Sequence, residues 1–524
     1  MKKTLLSMAK GTIVLTIAGM AARVLGFFFK QYLTMQIGAE GMGLIQLTMP
    51  LLALVQAVYS GGLATTVASM VASNLGTARP TTARALAVGA GSGILVAAAV
   101  WAGAPFLAAC MGDGRLTESI SILAMSIPVI GMSAAVKGYY MGLQRMRYPA
   151  LAQVVEQVTR IGISYALVAS LWDGTQLAQA AMLCTLGTAL GEMAGWIAVF
   201  LPYLWGSRQC APALAVTTSA TASATTTSSP TPAQANGGLT RHLLLRCLPS
   251  SAGKLAASLL TVIETAIVPV ALVRSGMTGA QGLSTLGLVE GIAMPLIMLP
   301  GMVCTSLSSV AVPAISATSG DKQERQMRVG ICLQIALVMG FVMAGIFRGY
   351  ADLVAYVTYP NSNVGHIIYG LAPCCIFAYP MFTLAGTMQA LRLQKRQLFN
   401  TLLGYVLRIG MYWFLAGRFG LSGYVMSLII SYGVICLLDI LRVTAYTDLR
   451  MGILSWSWLP GLCYVGLVVT SKGLSAIICT IAQGSRLMIL AMVALVGMVA
   501  FLVASGRLWC QLFRGGTEVG DSGE

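Results

Sequence analysis

Val158-Thr159-Arg160-Ile161-Gly162 returns 248 residues later as Val406-Leu407-Arg408-Ile409-Gly410. The same offset pairs Gly138 with Gly386, Leu143 with Leu391 and Leu167 with Leu415. Met49-Pro50-Leu51 comes back as Met294-Pro295-Leu296 at an offset of 245, a drift that loops of unequal length produce. Each copy lies in a long apolar segment and carries an arginine there. Internal duplication with ionisable groups inside both halves is the pattern of a membrane transporter.

Composition agrees with a membrane setting. Of 524 residues, 57% are hydrophobic and only 9% charged, where a soluble protein carries about 25% charged residues. Apolar runs long enough to span a bilayer recur along almost the whole chain, which excludes a soluble core and a β-barrel. The 58 glycines and 18 prolines suit close helix packing and broken helices. A net charge of +16 does not mark a nucleic-acid binder, because the basic residues sit in short loops between apolar runs. The twelve cysteines include no C-x-x-C pair and no histidine at metal spacing. The vicinal Cys374-Cys375 pair is read as apolar packing, and neither a metal nor a cofactor is expected. Lys2, Lys3 and Lys10 before an apolar run resemble a signal peptide. That run is too long, contains Arg23 and lacks a small-x-small cleavage site, so it reads as a retained first span.

Hydropathy places spans near 12–35, 44–72, 85–111, 119–141, 149–171 and 178–201, then 243–273, 286–317, 329–347, 366–391, 398–416 and 421–441, with two more near 456–470 and 487–503. The expected fold is therefore an all-α polytopic membrane protein of about fourteen transmembrane helices. Residues 1–206 form one six-helix lobe and 242–442 a second, with a flexible cytoplasmic linker at 207–241. Residues 443–524 add two helices and a tail. Alternate loops hold 20 of the 32 basic residues, among them Arg79, Arg145, Lys322, Lys395 and Arg442. The opposite loops hold only Arg115, Arg274, Arg348, Arg418, Lys472 and Arg486. Positive charge marks the cytoplasmic side, so both termini are expected there. Six spans between equivalent repeat points give the lobes the same orientation, as parallel repeats about an axis along the membrane normal. The Ser/Thr-rich stretch Thr217–Ser223 has too little apolar bulk to order itself and reads as a tether.

The remaining basic residues are Arg23, Lys30, Lys137, Arg160, Lys254 and Arg408, and the intramembrane acids are Glu156, Glu192, Glu264, Glu290 and Asp439. A charge at mid-bilayer costs about 2.5–3.5 kcal/mol on insertion scales, so such residues face a wet cavity or a partner. Arg23 lies near the middle of the first span, and its forked donor suits phosphate. The plainer alternative is a salt bridge that fixes packing. Lys30 lies nearer the outer end, within snorkelling reach of the interface. Glu156 and Arg160 are four apart and can pair on one helix face. Arg408 has no matching acid, since Gly404 stands where the repeat calls for one. Glu156, Arg160 and Arg408 are thus candidates for a gate or for lobe packing. Lys254 and Glu264 are ten residues apart, about 15 Å along a helix, too far for a direct pair. Glu264 is the candidate for proton or cation coupling. Pro128, Pro269, Pro295, Pro300, Pro313 and Pro380 are expected to bend helices.

Lys10-Gly11-Thr12, Arg23-Val24-Leu25-Gly26-Phe27, Ile37-Gly38-Ala39-Glu40-Gly41-Met42-Gly43-Leu44, Tyr140-Met141-Gly142-Leu143-Gln144-Arg145 and Gln153-Val154-Val155-Glu156-Gln157-Val158-Thr159-Arg160 resemble the stage V sporulation protein B family. That family lies within the multidrug/oligosaccharidyl-lipid/polysaccharide exporter superfamily. The similarity is strongest over residues 1–170; the second half matches by layout, and the Ser/Thr-rich linker departs from the family's compact ones. The resemblance implies a two-lobed flippase for lipid-linked cell-wall precursors, used in spore cortex or peptidoglycan synthesis. It also implies cationic cavity residues, with Arg23 matching by context a span-1 arginine of the lipid II flippases and Lys254 a looser counterpart in the second lobe. The drug/cation antiporters of the superfamily place acids in their cavities, and the first span here contains neither Asp nor Glu.

The function expected is translocation of a polyprenyl-pyrophosphate-linked saccharide across a bacterial plasma membrane by alternating access. Arg23, Lys30 and Lys254 are the substrate-binding candidates. A multidrug/cation antiporter is the alternative. A membrane-embedded glycan polymerase or ligase ranks third, for want of a large outer loop with catalytic groups. No nucleotide-binding motif occurs, so an ion gradient or the membrane potential would drive transport. The partners expected are membrane lipids and the lipid-linked glycan, not nucleic acid, with the protein acting as a monomer.

Overall fold

The computed structural model describes residues 2–205, 235–316, 322–359, 364–449, 453–482 and 485–506. Most of the expected linker at 207–241 and the tail beyond 506 lie outside the described residues. All regular structure among the described residues is helical. In lipid every backbone N–H and C=O must find its partner inside the segment, and a helix meets that demand for a long apolar run.

The chain divides into two compact units, Met1–Ala266 and Ile267–Glu524. The first begins with α1 (Lys2–Val58), which continues through a π-helical segment (Tyr59–Ala64) into α2 (Thr65–Ser73). Gly38 breaks α1 at φ 75°, ψ 175°, a backbone conformation that glycine alone adopts freely. Then follow α3 (Ala78–Ala102), α4 (Ala104–Cys110), α5 (Thr117–Gly142), α6 (Arg147–Leu171) and α7 (Leu177–Trp205). The next helix, α8 (Ala235–Arg274), belongs to this unit as far as Ala266. Arg115 Nη2 lies 3.0 Å from Glu40 Oε1 and 2.7 Å from Asp113 Oδ2. The break at Gly38 and the turn before α5 therefore share one end of the unit. Hydrogen bonding to Asp113, and then to Glu40, pushes the Arg115 guanidinium's pKa up.

The second unit holds α9 (Gly279–Leu286), a π-helical segment (Gly287–Ala293), α10 (Met294–Met298), α11 (Met302–Ser316) and α12 (Lys322–Gly349). It continues with α13 (Ala351–Thr358), α14 (Val364–Leu371), α15 (Cys374–Ala390), α16 (Gln394–Met411), a π-helical segment (Tyr412–Ala416), α17 (Gly417–Thr447), α18 (Ile453–Ala482) and α19 (Arg486–Ala504). Gly420 interrupts α17 at φ 58°. The chain breaks helix at Pro300, between α10 and α11, whereas α5 runs unbroken through Pro128. α14 and α15 meet at 56°. The span expected to stop near residue 470 instead runs to Ala482, and Lys472 sits inside α18. α18 and α19 dock on α12 through Val338, Val342, Ile346, Leu467, Ile489 and Val493.

Among the described residues, ten helical stretches are long and apolar enough to cross a membrane, or eleven with the bent α14–α15 pair. Two of them run 56 and 54 residues, against about 20 for one crossing. These two contain Gly38 and Gly420. Large apolar side chains such as Leu95 (74% exposed) and Leu487 (84%) point away from the protein. Such a surface needs lipid to cover it, so this is a multi-pass membrane protein.

Candidate functional site: buried charges in each unit

In the first unit α7 presents Gly187, Gly191 and Gly195 at four-residue spacing. Against them, on α6, lie Ser164, Arg160 and Glu156 in the opposite order. A Cβ on Gly191 would stand 2.9 Å from Arg160 Cβ, and one on Gly195 2.9 Å from Glu156 Cβ. Small residues at this spacing let two membrane helices approach backbone to backbone. The close approach carries the α6 charges up against α7.

Arg160 Nη2 donates to Glu156 Oε1 at 2.8 Å, the four-residue pairing expected from the spacing. The same nitrogen stands 3.5 Å from Glu192 Oε1 on α7. Lys137 Nζ on α5 lies 3.6 Å from Glu156 Oε2, and Gln56 Nε2 on α1 donates to Glu192 Oε1 at 2.7 Å. Two cations and two carboxylates from three helices thus balance their charge inside the lobe. Glu192 is buried, with a side chain only 3% exposed. A desolvated carboxylate of this kind is tolerated because a partner and a hydrogen-bond donor meet it. Lys137 and Glu192 stood among the intramembrane charges in the sequence, but nothing there assigned them a partner. The Gly187–Gly191–Gly195 spacing was the available signal for this helix contact.

Arg23 lies on α1 between Gly19 and Gly26, which face Gln153 and Gln157 of α6. The side chain is exposed, and among the described residues no ion pair forms to it. Arg23 is thirteen residues past Lys10 and fifteen before Gly38, so roughly 20 Å of helix separates it from each of them. Lys30 is half-buried, and its carbonyl accepts from Thr34 Oγ1 at 2.8 Å. The structure does not bring Arg23 into the Glu156–Arg160 cluster.

Lys254 on α8 packs its stem against the π-helical segment. A Cβ on Gly61 would stand 2.6 Å from Lys254 Cδ and 3.5 Å from Nζ. π-Helical turns often mark functional positions. Glu264, further along α8, is buried.

The second unit resolves the same position differently. Arg408 on α16 is 5% exposed and donates from Nε to Ser431 Oγ at 2.7 Å. Its guanidinium carbon lies 4.6 Å from the Tyr432 ring centroid and 5.3 Å from that of Tyr405. Two aromatic faces and a hydroxyl meet this arginine, and Arg160 in the first unit meets carboxylates. Gly404 lies directly against Ile435, so α17 fills the space that an acid would occupy. Elsewhere in this unit Asn400 Nδ2 donates to Asp439 Oδ1 at 2.8 Å, and Tyr424 donates to Glu290 Oε1 at 2.9 Å. Among the described residues no three His, Cys, Asp or Glu side chains gather to hold a metal.

Comparison with known proteins places the chain. Stage V sporulation protein B of Bacillus subtilis (strain 168) is 26% identical over 445 residues, covering 83% of each chain. Lipid II flippase MurJ of the same organism is 21% identical over 426 residues, or 76% of each. Among solved structures, "Lipid II flippase MurJ, inward closed conformation" superposes with a TM-score of 0.69 at 14% identity, covering 96% of this chain and all of that one. An inward-facing multidrug resistance MATE family transporter of the MOP superfamily superposes at 0.61 and 15% identity, covering 82% of this chain and 96% of that one. These likenesses give the fold of the exporter superfamily that the sequence motifs suggested. The model of the polysaccharide biosynthesis protein family matches residues 8–319, more than half of the chain: the chain belongs to that family.

Proposed function

We propose that this protein is a flippase that moves a polyprenyl-pyrophosphate-linked saccharide across the bacterial plasma membrane by alternating access. The observation that carries the proposal is Arg23, an exposed arginine halfway along an apolar membrane helix. A charge at that depth is tolerable where water or an anionic ligand reaches it. Its guanidinium offers a forked donor to a pyrophosphate while the lipid tail stays in the bilayer. Relatives named as a sporulation protein and a lipid II flippase support the choice of a lipid-linked cell-wall precursor over a drug. Fourteen spans, cytoplasmic termini, a monomeric state and transport rather than catalysis belong to the same proposal.

Roles divide accordingly. Arg23, with Lys30 and Lys254, serves the substrate's phosphates. Glu156 and Arg160 serve lobe packing, since their partners are Lys137 and Glu192 of the same unit. Arg408 plays the equivalent part in the second unit. Glu264, buried on α8, is the proposed coupling acid. The test is transfer of a fluorescent undecaprenyl-pyrophosphate disaccharide between leaflets of vesicles holding the purified protein. Leaflet exchange no faster than in empty vesicles, under either polarity of ion gradient, would end the proposal.

A further inference from the structure

Away from the buried charges, the second unit contains a cavity of about 610 Å³. Its size is within the range of small-ligand sites. It opens where α12 ends, at the opposite end of that helix from Lys322, Arg325 and Arg328. Arg348, in the last turn of α12, enters it with its guanidinium carbon 4.2 Å from the Tyr369 ring centroid on α14. That stacking holds the forked donor in place. Lys472 enters from α18 beside Ser471 and Ser475, and its side chain is exposed. Asp352 on α13, His366 on α14 and Cys479 on α18 also line it, beside the tyrosines Tyr350 and Tyr369. Tyr350 and Leu353 floor the cavity and belong to the apolar cluster that fastens α18 to α12, so the two cations are carried on a packed frame.

We propose that this cavity is a second, separate binding site, for a phosphate-bearing group. Two fixed cations from different helices suit a group of two negative charges, and Arg348 can meet it with two parallel N–H donors. Asp352 then faces hydroxyls of the molecule that carries the phosphate, because a carboxylate accepts hydrogen bonds. The site lies at the end of the unit whose loops are poor in basic residues, the outer end under the charge rule. It depends on neither Arg23 nor the translocation reading. The phosphate could belong to a soluble molecule or to a lipid headgroup, and the two sources can be separated.

The test uses full-length protein in detergent with Arg23→Ala, which removes the arginine of the proposed translocation route. Sodium pyrophosphate is titrated by calorimetry at constant ionic strength. In parallel, native mass spectrometry counts bound phosphatidylglycerol against diacylglycerol. Pyrophosphate binding that Arg348→Gln or Lys472→Gln each weakens by about tenfold or more identifies a soluble ligand. Retention of phosphatidylglycerol alone, lost in both variants, identifies a headgroup. Arg348→Gln gives up the Tyr369 stacking and could fold poorly, but Lys472→Gln changes an exposed side chain and keeps the test open. Binding of neither probe, or equal binding by the parent and Lys472→Gln, overturns the site.

Discussion

Glu156 on α6 lies against Gly195 on α7, and in the second unit the large and small partners trade places: Gly404 on α16 lies against Ile435 on α17. In each half one helix supplies the bulk and the other the gap, so both pairs pack closely. Only the first half puts a carboxylate there. A duplicated framework has thus been filled with an ion-pair cluster in one unit and with an arginine among tyrosines in the other.

Gly191 and Gly195 should be intolerant of even one methyl group. A Cβ at Gly191 would stand 2.9 Å from both Arg160 Cβ and the Glu156 carbonyl oxygen. Gly191→Ala should destabilise the protein by about 1–3 kcal/mol through overpacking. Gly162, on α6, has nothing within 4 Å of its added Cβ. Gly162→Ala should be neutral or stabilising by up to about 1 kcal/mol. Thermal unfolding in detergent compares the two, and equal midpoints would contradict the close approach of α6 and α7.

The Arg160–Glu192 contact should show up as a coupling energy. Arg160→Gln and Glu192→Gln each strand a charge in the lobe, at a cost of about 3 kcal/mol. The double variant should lose less than the sum, with a coupling of about 1–3 kcal/mol. Denaturant unfolding of the four proteins measures it. Strict additivity would mean that the two groups do not feel each other at 3.5 Å.

Arg23→Ala should abolish flipping while membrane abundance stays near normal, because the side chain is exposed and holds no ion pair among the described residues. Arg23→Lys should retain part of the activity, since the charge survives and the fork does not. A well-expressed Arg23→Ala protein with full flipping would remove the substrate assignment and favour the drug-exporter alternative.

Glu264→Gln should change how flipping depends on pH or on the imposed gradient, if that buried carboxyl binds the coupling ion. Vesicles assayed across pH with wild-type and variant protein decide the matter. Identical profiles would leave Glu264 a structural role only.

Sidedness is testable with thiols. Cys110, at the end of α4, is exposed and lies close in sequence to Arg115, on the side poor in basic residues. In a background cleared of other reactive cysteines, an impermeant maleimide should label Cys110 in intact cells. Ser219→Cys, in the linker stretch outside the described residues, should resist it. The reverse pattern would invert the topology.

Much of the framework was legible in the residues. Hydropathy alone called for an all-helical membrane fold, since a long apolar run has few other ways to satisfy its backbone in lipid. The four-residue step from Glu156 to Arg160 foretold their bond, because helix geometry sets that neighbour relation. The apolar run interrupted by Lys472 was harder to judge. Its helix continues because the neighbouring turns pack on α12, and a window average of hydropathy sees no packing.

By itself, the sequence determined the membrane class, the duplication and which charges sit among apolar residues. Those properties are local or periodic along the chain. Only the tertiary structure decided that Lys137, Glu156, Arg160, Glu192 and Gln56 form one cluster, that the Tyr432 ring meets Arg408, and that Arg348 and Lys472 share a cavity. Apart from Glu156 and Arg160, those partners lie 19 to 136 positions apart in sequence. Helix packing selects them by shape, through gaps as small as the missing Cβ of Gly191; the glycine spacing along the chain marks the gap but not the side chain that fills it.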